Sequence, residues 1–113
     1  MRTILVQGEL PPSDLAEVLP QAGVEVQSTA AYAFGSCRIA VFVGRKHYFR
    51  SNSYLGVVLV AATDGTTQRL DVGQAGAGAG LMGIEWGAGD DLEASVYNEL
   101  VSAIQARGLS ASG

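Results

Sequence analysis

"YLGVVLVAATDGTTQRLDVG", residues Tyr54–Gly73, decides the fold. Its first half is apolar on both faces of a period-two pattern, which marks a strand central in its sheet. Asp64-Gly65 then separates it from a second strand-like run, and Asp-Gly between two such runs is a strong hairpin signal. The strand upstream is "CRIAVFVGRKHYFR", Cys37–Arg50, joined to Tyr54 by the turn-like "RSNSY". Short turns between consecutive strands give an antiparallel meander.

Working outward, "TILV" makes a first strand over Arg2–Gln7, and "VEVQS" makes another over Val24–Ser28. Between them lies a short helix with Leu15, Val18 and Leu19 on one face. Asp14 is its expected cap, with Glu17 three residues on. Leu92, Val96, Leu100 and Ile104 recur every four residues and define a final helix. Asp90 or Asp91 is its expected cap, and Gly108 lies just past its end.

The expected fold class is α+β: a single antiparallel sheet of about five strands, in the order β-α-β-β-β-β-α, with two helices on one face. A short extra strand at 81–86 is allowed by the alternation of Ile84, Glu85 and Trp86. Residues 1–108 form one domain and residues 109–113 a flexible C-terminal tail.

The bulk numbers exclude several functions. The 113 residues suit one domain with its own core. A net charge of −4 argues against nucleic acid and against anionic membrane surfaces as partners. The single cysteine, Cys37, allows neither an internal disulfide nor a cysteine-based zinc site. It begins an apolar strand face, which suits a buried, inert thiol rather than a nucleophile. No apolar run approaches the roughly 20 residues that span a bilayer. A cytoplasmic protein is the expectation, and no cofactor or metal is implied.

Two segments could carry chemistry. "GQAGAGAGLMGIEWGAGDD", residues 73–91, holds Gly78, Gly80 and Gly83 at the spacing G-x-G-x-x-G. A dinucleotide fingerprint also needs a helix opening within it and a parallel strand beyond, carrying an acidic ribose ligand. Gly87 and Gly89 disfavour such a helix, so the spacing reads as structural. Trp86 is the candidate interface residue, in the core or at a subunit contact.

The second segment is "RKHYFR". No acidic residue falls between Glu25 and Asp64, whereas Arg38, Arg45, Lys46 and Arg50 do. Alternation puts Arg38, Lys46 and Arg50 on one side unless a bulge at Gly44 intervenes. Arg45, Lys46, His47, Tyr48 and Arg50, with Gly78 and Gly80, are the candidate ligand-binding residues for an anion or small molecule. The plainer account is a solvated strand end. His47 is the only histidine, and as a general base it would need Asp64 or Glu85 within about 3 Å. Tyr54 and Tyr97 are candidates to line a cavity between the last helix and the sheet, with ordinary core packing the preferred account for so short a sheet.

With no catalytic constellation and a high apolar fraction, the leading expectation is a non-enzymatic protein. It would work by self-association or by binding a protein partner, through a sheet edge or the Trp86 region. The alternatives are an anion or small-molecule module and, last, an enzyme using His47.

Overall fold

A computed structural model describes residues 1–48, 53–75 and 83–113. Residues 49–52 and 76–82 lie outside them, as do the side chains of Ser53, Ala75 and residues 83–91. The elements are β1 (Arg2–Gln7), α1 (Pro12–Gln21), β2 (Glu25–Phe34), β3 (Cys37–Tyr48), β4 (Ser53–Thr63), β5 (Thr67–Ala75), α2 (Gly83–Ala106) and β6 (Ser110–Ser112). They build one antiparallel sheet of six strands, in the order β2-β3-β4-β5-β1-β6, with two helices. The α+β class is as expected, and β4 is central, as its two apolar faces imply.

Both helices pack on the same face. Leu15, Val18 and Leu19 of α1 and Leu92, Val96, Leu100 and Ile104 of α2 join Ile4, Val6, Leu55, Val57, Leu59, Leu70 and Val72 in one core. The four-residue spacing in α2 is therefore the buried stripe it suggested. Arg107, at the end of α2, donates to both Asp14 carboxylate oxygens at 2.8 and 3.0 Å and ties the helices together.

The turns follow their residues. Asp64 Oδ1 accepts the backbone N–H groups of Thr66 and Thr67, each at 2.9 Å. Gly65 adopts φ 99°, where a side chain is strained, and so closes the β4–β5 hairpin.

Several expectations need correction. α1 opens one turn earlier than a cap at Asp14 allows. Pro11 is its N-cap and Pro12 sits in its first turn, where a missing N–H costs nothing. Asp14 serves the first turn and Arg107 instead. β2 runs to Phe34, well beyond Ser28. The bulge lies in β2, between Val26 and Ser28, while β3 pairs with β4 without a break through Gly44.

α2 opens at Gly83, so no strand spans 83–86, and Asp90 lies inside the helix. Glycine weakens a helix by about 1 kcal/mol each but does not forbid one. The residues after Gly108, expected as a tail, form β6 against β1, and Leu109 packs on the core.

Candidate functional site

In a two-layer domain the sheet has one face under the helices and one without a layer over it. Alternation, register and burial assign each strand residue to a face. On β3 the helix side takes Arg38, Ala40, Phe42, Gly44, Lys46 and Tyr48. Phe42 and Gly44 are its buried members. The unbroken apolar set Cys37, Ile39, Val41 and Val43 faces the other way and is half-buried, so Cys37 is no core thiol.

Gly44 explains the choice. A Cβ there would meet Val24 Cγ1 at 2.5 Å and the Glu25 carbonyl oxygen at 2.8 Å. The side of β3 that carries Gly44 is the side against which the start of β2 packs tightly.

The open face can be read in rows across the strands. Tyr32, Ile39, Ala62, Arg69 and Leu5 form one, and Ala30, Val41, Val60, Asp71 and Thr3 the next. Ser28, Val43, Val58 and Gly73 form the third. Phe34 pairs with Cys37 beyond the first row, and Tyr54 with His47 beyond the third.

The exposed large hydrophobic residues among those described are Met1 (84%), Phe34 (71%), Tyr32 (55%), Tyr54 (50%) and Leu5 (42%). Leu5, Tyr32, Phe34 and Tyr54 fall on this face by register, and the Met1 Cε lies 3.2 Å from where a Cβ on Gly73, in the third row, would stand. The β2 bulge puts two of them there: Val24 and Val26 point under the helices, and the extra residue hands Ser28, Ala30, Tyr32 and Phe34 to the open side.

Charges on the face are paired in place. Arg69 reaches Asp71 at 2.9 Å, and the Thr3 hydroxyl donates to Asp71 at 2.6 Å. Burial pushes the Asp71 pKa up, but those two hydrogen bonds outweigh it and hold the carboxyl below its ordinary range. Arg45 bonds Glu25 at 3.3 Å and lies over the Tyr54 ring at 4.4 Å. The His47 ring sits 4.8 Å from the same tyrosine.

The basic segment is thus split between faces. Arg45 and His47 point to the open side. Lys46 and Tyr48 point to the helix side, where Lys46 donates to the Ala22 carbonyl at the end of α1, 3.3 Å away. Arg38 and Lys46 share a face as alternation implied, but Arg38 is bound to Glu9 at 2.8 Å. Arg50, Gly78 and Gly80 lie outside the described residues, as do the side chains of Glu85 and Trp86.

Asp64 is removed from His47 by nearly the whole of β4, roughly 30 Å. Those two residues form no catalytic pair. Tyr97 is on the helix side under Arg2, and Tyr54 on the open face, so they line no common cavity.

A cleft of about 330 Å³ lies on the helix side, where the β2–β3 hairpin runs beyond α1. Ala31, Ala40 and Ala61 line it on the sheet side, Leu10 and Leu15 on the other, and the Arg38–Glu9 pair borders it. The sequence marked Arg38 as a cation but gave no sign of this cleft, which exists because its strand residues are small.

No protein-family model matches the chain, and neither a curated protein nor a solved structure does. Among the described residues no helix is long and apolar enough to cross a membrane.

Proposed function

We propose that the protein works by association, with its open sheet face as a docking surface for another protein surface and no catalysis of its own. The observation that supports this is the gathering of Met1, Leu5, Tyr32, Phe34 and Tyr54 on one face that no described element covers. Around them run half-buried Ile39, Val41, Val43, Val58 and Val60. A contiguous apolar surface of this extent on one side of a monomer marks an interaction site. A cytoplasmic setting belongs to the same reading, on the ground of the single cysteine.

Methyl NMR with a soluble paramagnetic agent tests it. The Ile39, Val41 and Val60 methyls are expected to be shielded in the concentrated purified protein or in cell extract. Full exposure in both settings defeats the reading.

One observation favours the anion-binding alternative. Arg45, Gly56 and Ala75 share a row, so the basic end of β3 and the strand feeding the glycine-rich segment leave the same end of the sheet, about 10 Å apart. It requires inorganic phosphate to shift the Arg45 and His47 resonances saturably. Titration without such shifts removes it.

A further inference from the structure

We propose that the occupant of the open face is a second copy of this chain, packed sheet to sheet about a two-fold axis along β4, over Val60. This rests on the docking role above and names its partner.

Area is the first argument. Five strands at about 4.8 Å spacing, over about seven residues of 3.4 Å each, give roughly 500 Å² of projected surface. Two such faces bury about 1,000 Å² before side-chain relief is counted, which reaches the size expected of a specific interface.

Charge is the second. The chain carries −4, yet the described open face carries Glu25, Asp71, Arg45 and Arg69, which balance. Two copies therefore meet there without net repulsion, and each ion pair enters already formed.

Geometry is the third. Three of the exposed apolar groups sit at the two margins of the face: Tyr32 and Phe34 on edge strand β2, Leu5 on β1. A partner covering only the valine centre leaves them wet. An axis along β4 lays β2 of one copy over β1 of the other and sets Tyr32 opposite Leu5, its row neighbour. An isologous contact needs only this one patch, and face-packed sheets align within about 30°. The product is a four-layer α-β-β-α dimer.

Sedimentation of the purified full chain over a dilution series, with Val60→Lys beside wild type, tests the proposal. Wild type is expected to weigh two chains and to fall toward one on dilution. Val60→Lys should weaken the dimer by roughly a hundredfold or more while keeping its circular dichroism and melting curve. Isotope-filtered NOEs between mixed labelled and unlabelled chains should connect the Tyr32 ring to the Leu5 methyls.

A single chain at every concentration, with its open-face methyls shielded in extract, overturns the second copy and leaves the docking role standing. A dimer that Val60→Lys does not weaken places self-association at another surface, such as the β2 edge, and overturns the second copy on this face. A chain, single or paired elsewhere, whose open-face methyls stay exposed in the concentrated protein and in extract overturns both.

Discussion

The Gln68 side chain grips the backbone of Leu10 from both sides. Its Oε1 accepts the Leu10 N–H at 2.9 Å, and its Nε2 donates to the Leu10 carbonyl at 3.4 Å. Gln68 is 2% exposed and Leu10 is fully buried. The amide thus replaces a missing strand neighbour and carries the chain from β1 to α1 through the core without orphaned polar groups.

Gln68→Leu keeps the apolar bulk and leaves the Leu10 N–H and carbonyl without partners. Each orphaned group costs about 1–3 kcal/mol, so urea unfolding should show a loss of about 2–4 kcal/mol. Gln68→Glu tests the cause. Burial raises a glutamate's pKa, and only the neutral acid can both accept from and donate to Leu10. Its stability relative to wild type should therefore improve as the pH falls. A Gln68→Leu variant as stable as wild type defeats the account.

Gly44→Ala probes why β3 turns its aromatic side inward. The added methyl would stand against Val24 and the Glu25 carbonyl. The valine can rotate away but the carbonyl is backbone, so the expected loss is about 1–3 kcal/mol. Val24→Ala combined with Gly44→Ala should recover only part of it. Full recovery in a double-mutant cycle would show that the backbone contact is immaterial.

The same position shows what the sequence discloses and where it falls silent. Asp64-Gly65, the both-sided apolarity of Leu55–Ala62 and the four-residue spacing of Leu92 to Ile104 each have one physical reading, and meander and helix follow from them. β3 has two readings, because Ile39-Val41-Val43 and Ala40-Phe42-Gly44 both make an apolar stripe. The decision rests on a contact with Val24 that only the folded chain makes. The β2 bulge bears no glycine to announce it. Gly83, Gly87 and Gly89 argue locally against the helix that contains them. The open apolar face is not legible in the sequence, because apolarity on both sides says that a strand is central, not how many layers its sheet has.

Acid should weaken the β4–β5 hairpin through Asp64. Hydrogen bonds from the Thr67 and Thr66 backbone and the Thr66 hydroxyl hold its carboxyl at about 2, below its ordinary 3.8. A lowered folded-state pKa means a contribution fully present above 3.8 and lost as the pH falls from there through about 2. Asp14, beside the Arg107 guanidinium, and Asp71 are shifted in the same direction. Thermal melts should therefore drop across that window. Asp64→Asn keeps an acceptor oxygen that does not titrate, so its melts should drop less. An equal pH dependence in the two proteins would show that Asp64 does not report on folding.

Deleting Gln27 tests whether the bulge is the device that sorts β2. Val26 pairs with Gly44 and Ser28 with Val43, and Gln27 is the residue between them without a partner. Its removal makes the ladder regular and leaves every later pair in place, so Tyr32 and Phe34 stay on the open face. The shortened chain should fold with a melting temperature within a few degrees of wild type and associate as wild type does. Deleting Val43 is the contrasting change. β3 is paired on both sides with no bulge opposite β4 to absorb the loss. Half of a strand second from the edge would exchange faces, turning Arg45 toward the core and Phe42 or Gly44 out of it. That chain should fail to give a cooperative melt. If loss of Gln27 is as damaging as loss of Val43, the bulge is a structural requirement of the hairpin and not the point where an extra residue is taken up.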